Sequence, residues 1–181
     1  MAIAKIRRFN IKSYPKDTVF VLDTNVLYFI HSGYVMQSNF KGLQYSNVIK
    51  TILENGYTIE VSSLNIQELF HLIEKKEYEL YCIANSKTPE TYKKKDYRKD
   101  LSQRTRLKAK LCTILSELSL YKLKDGNITV KMLHDFSNNF DLHQMDPIDY
   151  VLVQGYNFSK TVFISDDKDF QSNPSISVLT V

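Results

Sequence analysis

Cysteine is scarce in this chain, and its histidines are not clustered. The cysteines among its 181 residues are Cys82 and Cys112, which do not form a Cys-x-x-Cys pair. Both lie in apolar stretches that are typical of helices, so we interpret them as reduced packing residues rather than metal ligands. The histidines lack the spacing of metal ligands, and we assign no chemical role to them: His31, His71, His134 and His143.

Long apolar runs are missing as well. No run approaches the ~18 residues that a membrane-spanning helix needs. The first residues include the bases Lys5, Arg7, Arg8 and Lys12, but they lack the apolar core of a signal peptide. We therefore expect a soluble, cytoplasmic protein with no membrane partner.

The composition is that of an ordinary globular domain with a small excess of positive charge. Hydrophobic residues make up 43% of the chain, and its formal net charge is +4. The hydrophobic content favours one folded domain over residues 1–181, and the charge mildly favours a polyanionic partner. Within that domain we distinguish a basic N-terminal lead-in over 1–17 and an inserted basic loop and long helix over 87–125.

Two buried strands lead into acidic residues. Val19–Leu22 is a run of four apolar residues that predicts a strand buried on both faces, and Asp23 follows it directly. Thr161–Ile164 repeats this pattern and leads into Ser165 and Asp167. Open parallel sheets place their ligands at the carboxyl ends of the strands. Two strands that deliver acids to one edge indicate a metal site and hence phosphate chemistry.

The rest of the chain predicts helices between further strands. Apolar periodicity indicates a helix over 42–55 and a weak strand over 57–62. Asp146 and Pro147 are typical of a helix start, and a last strand is expected over 176–181. This order predicts an α/β fold of three layers, α/β/α, with a central, mostly parallel sheet.

Two more acids lie within apolar helices, and each has two interpretations. Glu68 has Leu64 and Leu72 four residues away on either side, so it either faces the core side or lies at the edge of the apolar stripe in water. Asp149 either joins an acidic site or, with Asp146 as the N-cap, suits the helix dipole.

Asp23 and Asp167 also have ordinary alternatives, as an N-cap and as a turn residue. The set of Asp23, Glu68, Asp149 and Asp167 is harder to explain without a cation, because clustered carboxylates cannot all stay ionised. Mg²⁺ and Mn²⁺ prefer carboxylate oxygens and water as ligands.

Four motifs occur in order between residues 19 and 170. They are an apolar strand that ends in Asp-Thr-Asn, a Ser followed six residues later by Glu-Leu, an Asp that opens an apolar helix, and Ser-x-Asp-x-Asp-Phe after a strand: Val21–Asn25, Ser62–Leu69, Asp149–Val153 and Ser165–Phe170. With these motifs the chain resembles the PIN domains, a family of metal-dependent nucleases that is named after the PilT N-terminus and includes the VapC-type toxins. It departs from the family at Tyr150, where a small residue is usual, and in the long gap before the third acid.

The resemblance implies a metal-dependent ribonuclease that hydrolyses phosphodiester bonds of RNA, with single-stranded RNA as one candidate form. One or two Mg²⁺ or Mn²⁺ ions would be held by four acids, for the third of which Asp146 competes with Asp149: Asp23, Glu68, Asp149 and Asp167. Asn25 and Ser165 are expected to orient these carboxylates by hydrogen bonds. The implied partners are RNA and an antitoxin or another protein, and a homodimer is one candidate assembly. Two alternatives stay open, a PIN-like RNA-binding module without catalysis and the toxin of a toxin–antitoxin pair.

A strongly basic segment runs from Lys87 to Lys110. It carries ten basic and three acidic residues, which leaves a local charge of +7. We predict that this segment contacts nucleic acid and that Tyr92 and Tyr97 stack on unpaired bases. The alternative is a solvated charged face. The predicted nucleic-acid contacts are Lys93, Lys94, Lys95, Arg98, Lys99, Arg104 and Arg106.

Overall fold

The computed structural model of the chain describes residues 3–34, 40–88, 90–138 and 145–181. The strands are β1 (Ile3–Lys5), β2 (Val19–Leu22), β3 (Thr58–Ser62), β4 (Lys122–Lys124), β5 (Thr161–Ile164) and β6 (Ser177–Thr180). The helices are α1 (Thr24–His31), α2 (Phe40–Glu54), α3 (Ser63–Ala84), α4 (Lys94–Lys99), α5 (Leu101–Leu118), α6 (Val130–Asn138), α7 (Pro147–Gln154) and α8 (Lys168–Ser172). Within these ranges no helix is long and apolar enough to cross a bilayer.

The six strands form one parallel sheet in the order β1-β6-β5-β2-β3-β4. The chain leaves β2 toward β3 on one side, whereas β5 leads to β6 on the other. The crevice beyond the carboxyl ends of β2 and β5 is therefore the switch point at which such sheets bind ligands. Leu22 pairs with Ile164, so Asp23 and Ser165 emerge side by side at that edge.

Helices cover both faces of the sheet, as the predicted three-layer α/β fold requires. Side chains alternate along a strand, so Phe20 and Leu22 pack against α1, α2 and α3, while Val21 and Phe163 pack on the opposite face against α7. Both faces of β2 and β5 are buried, which explains their unbroken apolar sequences.

Three details differ from the sequence-based expectations. Residues 1–17 are more than a basic lead-in, since Ile3–Lys5 forms β1 beside β6 and Ile6 and Ile11 are buried in the core. The segment 87–125 likewise ends in β4, which pairs with β3 as an edge strand. The interpretation of Cys112 as a packing residue is wrong because it is exposed, whereas Cys82 is buried.

The basic segment is attached to α3 by an aromatic cluster. Tyr97 of α4 packs against Tyr78 and Tyr81 of α3, with ring centroids 5.8 and 5.5 Å apart. Tyr97 is only 1% exposed, so the prediction that it stacks on a nucleotide base is wrong. The Tyr92 ring is covered by the Lys87 ammonium, 3.8 Å from the ring centroid. These aromatic residues therefore hold the segment in place.

Candidate functional site

Asp23 lies at the carboxyl end of β2 and is almost fully buried, with 4% of its surface exposed. It is the N-cap of α1, where its Oδ1 accepts a hydrogen bond from the Thr24 backbone N–H at 2.6 Å. The Ser165 hydroxyl, which follows β5, donates to Asp23 Oδ2 at 2.7 Å. The N-cap interpretation is therefore correct, and the second oxygen is oriented by Ser165 as expected.

Glu68 joins the site from the second turn of α3. The Thr24 hydroxyl donates to Glu68 Oε2 at 2.7 Å, and Asn65 Nδ2 donates to that hydroxyl at 3.1 Å. Glu68 is exposed, as its interpretation at the edge of the apolar stripe required. This exposed position nevertheless borders a cleft beside the other acids.

Asp167 is linked to Asp23 through a shared hydroxyl. The Asp167 backbone N–H donates to Ser165 Oγ at 2.9 Å, while that hydroxyl donates to Asp23. The Asp167 side chain caps α8 by accepting from the Asp169 N–H at 2.9 Å. Ser165 therefore fixes the acids at the ends of β2 and β5 relative to each other.

The first turn of α7 separates the roles of Asp146 and Asp149. Asp146 is exposed and caps the helix, with its Oδ1 accepting from the Ile148 N–H at 2.8 Å. Asp149 lies one turn later and is partly buried. Because Asp146 satisfies the helix end, the Asp149 carboxylate is left among the other acids.

Four of these acids border a cleft of about 550 Å³ between the N-terminal turns of α3 and α7. Leu64, Ile128 and Ile148 form its apolar wall. The buried Asp23 is linked to the lining acids Glu68 and Asp167 through the hydrogen bonds of Thr24 and Ser165. Gly126 lets the loop before Ile128 approach α3 closely, because a Cβ there would lie 2.5 Å from Leu64 Cγ. Asp23 and the four acids that border the cleft are called the acid cluster below: Asp23, Glu68, Asp146, Asp149 and Asp167.

Burial and mutual repulsion make ionisation of the acid cluster unfavourable. Burial raises the pKa of Asp149 to about 8, and the charges of the other four members act in the same direction. Burial also raises the pKa of Asp23 to about 6. Hydrogen bonds from Ser165 and Thr24 to Asp23 lower this pKa, whereas the charges of Glu68 and Asp167 raise it further. A cation or a proton is needed to compensate the cluster.

The donor set has the chemistry that a hard divalent cation prefers. Its oxygen ligands are carboxylates, and their mutual repulsion would be relieved by positive charge. Across residues 3–34, 40–88, 90–138 and 145–181, however, no three Asp, Glu, His or Cys side chains lie close enough to hold one ion as they stand. A bound ion would therefore have to draw the carboxylates together or share them through water.

Some residues near the acids were not identified from the sequence. Asn25 is exposed and makes no side-chain hydrogen bond within the described parts of the chain, so Thr24 and Asn65 orient Glu68 instead. His71 borders the cleft, although the histidines were assigned no role. His71 follows Glu68 by three residues, a spacing that places both side chains on one helix face. This spacing could have predicted that His71 lies near the acids.

Several predicted nucleic-acid contacts form ion pairs with α3. Arg98 binds Glu74 through Nε–Oε1 and Nη2–Oε2 at 2.5 and 2.6 Å, and Lys94 Nζ lies 2.9 Å from Glu74 Oε2. The Arg98 hydrogen bond is the main reason that the pKa of Glu74 falls to about 2. Arg106 pairs with the buried Glu77 at 3.2 Å.

Other predicted contacts are less constrained. Lys99 lies 3.5 Å from Asp96, a long contact between exposed groups. Lys93, Lys95 and Arg104 are exposed and form no ion pair with any residue that the structure describes. The free positive charge of the segment is therefore smaller than its sequence indicates.

No protein-family profile matches the chain, and no curated protein matches it either. Its fold is similar to that of a chain in the crystal structure of VapBC2 from Rickettsia felis bound to a DNA fragment from their promoter. The TM-score is 0.51 and the sequence identity 16%, with 91% of this chain and 99% of the other chain covered. At this identity the likeness concerns the fold alone, and it confirms the predicted α/β class.

Proposed function

We propose that this protein is a metal-dependent ribonuclease of the PIN type. The observation that carries the proposal is a cleft at the switch point of a parallel sheet that Glu68, Asp149 and Asp167 border, together with the buried Asp23 whose charge acts on Asp149. The order of the four sequence motifs and the fold likeness to VapBC2 add support.

The residues at the cleft would have two roles, metal binding and positioning of the metal ligands. The carboxylates of Asp23, Asp149 and Asp167 would hold one or two Mg²⁺ or Mn²⁺ ions, with Glu68 as a further ligand or a partner through water. Such an ion lowers the pKa of bound water and neutralises charge that develops on the phosphodiester. Ser165 and Thr24 would keep the carboxylates in position, because both donate hydrogen bonds to them.

The direct test is cleavage of end-labelled single-stranded RNA. With Mg²⁺ or Mn²⁺ we expect defined cleavage products, and excess EDTA should abolish them until the ion is restored. A DNA strand of the same sequence is the matched substrate control. Binding of RNA without cleavage in either ion would instead favour the alternative of a catalytically inactive RNA-binding module.

The basic segment should contain two classes of cation. We expect a variant with Lys93→Ala, Lys95→Ala and Arg104→Ala to bind RNA more weakly, because these charges are free to contact phosphates. Lys94→Ala with Arg98→Ala should instead lower the melting temperature, because Glu74 then loses both partners. Fluorescence anisotropy and thermal melts of both variants separate these effects. Unchanged RNA affinity in the triple variant would favour a solvated face.

A toxin held by an antitoxin is the second candidate role for the same activity. Exposed aliphatic side chains favour a protein partner at the acidic cleft. Ile128 and Ile148 line the cleft, and Val130 and Leu133 follow Ile128 on α6. The VapBC2 likeness supports the same idea. Expression of the chain alone should then arrest growth of the host, while the Asp23→Asn variant should not. Equal growth with both proteins would contradict this role.

A further inference from the structure

A second pocket lies at the same sheet edge as the acid cluster. It has a volume of about 340 Å³ and is lined by Lys5, Arg7, Phe40, Gln44 and Val181. Lys5 ends β1, and Val181 follows β6. Three strand spacings of about 4.8 Å separate β1 from β2, so this basic pocket lies about 14 Å along the edge from Asp23.

The cations of the basic pocket are not paired with acidic side chains. Lys5 Nζ donates to the Val181 main-chain oxygen at 2.9 Å, which holds the ammonium in place. Among the residues with described positions, no Asp or Glu side chain forms an ion pair with Lys5 or Arg7. This contrasts with Lys94 and Arg98, which pair with Glu74. Two cations in a concave site without an acidic side chain favour an anion.

The pocket also offers features that suit a nucleotide base. Phe40 is 68% exposed, which is unusual for a phenylalanine, and exposed aromatic rings stack on unpaired bases. Gln44, on the same face of α2, has a buried amide oxygen without a hydrogen-bond partner in the described residues. A buried acceptor of this kind requires a donor, and a nucleotide supplies hydroxyl and amine donors.

Helix α2, which carries Phe40 and Gln44 of the pocket, is bound by hydrogen bonds to the loop that carries Asp167. Lys41 of α2 binds Asp166 through Nζ–Oδ2 at 2.5 Å, and the Tyr45 hydroxyl donates to Asp166 Oδ1 at 3.4 Å. Asp166 directly precedes Asp167. The helix that carries Phe40 and Gln44 is therefore fixed to the loop that carries one of the acids.

From this arrangement we infer that the basic pocket binds a phosphate and an unpaired base of the same RNA strand whose cleaved bond lies at the acid cluster. The inference rests on the proposed function. It assigns to Lys5 and Arg7 the phosphate contacts and to Phe40 the stacking contact. A strand of a few nucleotides spans the distance between the two sites, so the pocket acts only on RNA that is long enough to reach it.

The test is the dependence of RNA affinity on strand length. Labelled oligoribonucleotides, graded from a dinucleotide to a decanucleotide, are titrated with the Asp23→Asn protein in EDTA. Affinity should increase stepwise once the strand reaches the pocket. Adding Lys5→Ala and Arg7→Ala to this protein should remove the step, which we expect to be about tenfold in Kd. The two substitutions should also reduce the slope of the log binding constant against log salt concentration by about 1.4, because two phosphate contacts are lost. Phe40→Ala should reduce the step without changing the salt slope.

The control is a variant with Lys12→Ala and Lys50→Ala, which changes the net charge equally. Lys12 lies near the amino edge of the sheet, because the neighbouring Ile11 carbonyl accepts from Tyr57, just before β3. This control should keep the length step. A step that survives in the Lys5 and Arg7 variant, or an equal loss at every length, would overturn the inference. Wild-type cleavage with added ion is measured in parallel, so a protein that never cleaves RNA contradicts the proposed function separately.

Discussion

Asp23→Asn is expected to reduce RNA cleavage by about a hundredfold to ten-thousandfold while the protein stays folded. Loss of a metal ligand removes several kcal/mol of transition-state stabilisation, and each tenfold in rate corresponds to about 1.4 kcal/mol. The substitution leaves the shape of the side chain unchanged. Its remaining oxygen can still accept from the Thr24 N–H and cap α1.

The local structure explains why the fold should tolerate this change. The new amide can donate to Ser165 Oγ, which now donates to Asp23 at 2.7 Å. The substitution also removes the unfavourable burial of a charge, which is the main reason that the pKa of Asp23 rises to about 6. A melting temperature equal to or above that of the wild type in EDTA should therefore accompany the loss of activity.

Asp17→Asn is the matched control for this experiment. Asp17 is an exposed acid that pairs with Lys160 at 2.7 Å, just before β2, at the edge of the sheet opposite the acids. Its cleavage rate should equal that of the wild type. A rate for Asp23→Asn within a few-fold of the wild type would remove Asp23 from the catalytic set.

The central strands were predictable because their sequences leave few alternatives. Four apolar residues in β2 and in β5 can be buried only between two layers, and an acid after such a strand must lie at its carboxyl end. The short edge strands β1 and β4 were missed. Each has three residues with lysine at one or both ends, and their strand character depends on partners far away in the chain.

The sequence motifs point to acids that border one cleft, but they do not give the arrangement of these acids, and the role of the acids as metal ligands stays a prediction. Helix periodicity placed Glu68 near an apolar stripe, but the exact phase of α3 decides whether it faces the core or the cleft. The division of roles between Asp146 and Asp149 also depends on which carboxylate binds the helix end. The roles of Thr24 and Asn65 could not be predicted, because the hydrogen bonds from Asn65 to Thr24 and from Thr24 to Glu68 exist only after α1 and α3 have packed together.

The basic segment illustrates a different limit of sequence reasoning. Its local charge of +7 is a count along the chain, whereas Glu74 and Glu77, which neutralise part of it, lie on α3 outside the segment. Tyr97 was expected to be available for stacking, and its burial against Tyr78 became visible only with the tertiary packing of α4.

Asp149→Asn is expected to stabilise the metal-free protein at neutral pH. Ionised Asp149 is unfavourable because of burial and the charges of the other acids. An amide has a similar shape and no charge, so we expect a gain on the order of 1 kcal/mol. In a domain of this size that corresponds to a rise of about 2–4 °C in Tm. Thermal melts in EDTA measure it directly.

The gain should depend on pH in a defined direction. The folded-state pKa of Asp149 is raised from 3.8 to about 8, so between these values the folded protein binds more protons than the unfolded chain. Wild-type stability attributable to this group is therefore highest at acidic pH and falls as the pH rises toward 8. The gain in stability from Asp149→Asn should accordingly be small near pH 3.8 and should grow with pH until the folded-state pKa of about 8 is passed.

Divalent ions should reverse the order of the melting temperatures, so that the wild type melts above the Asp149→Asn variant. Mn²⁺ or Mg²⁺ that binds only the folded acid cluster raises the wild-type Tm by mass action, and the variant, which lacks one carboxylate, should gain much less. Asp17→Asn is the matched control, because Asp17 is an exposed acid outside the acid cluster that pairs with Lys160, and its response to the ions should equal that of the wild type. A wild type that does not respond to the ions, together with an Asp149→Asn variant that melts lower in EDTA, would instead indicate that Asp149 serves the helix dipole of α7. The comparison needs no RNA, so it tests the metal site independently of substrate and product.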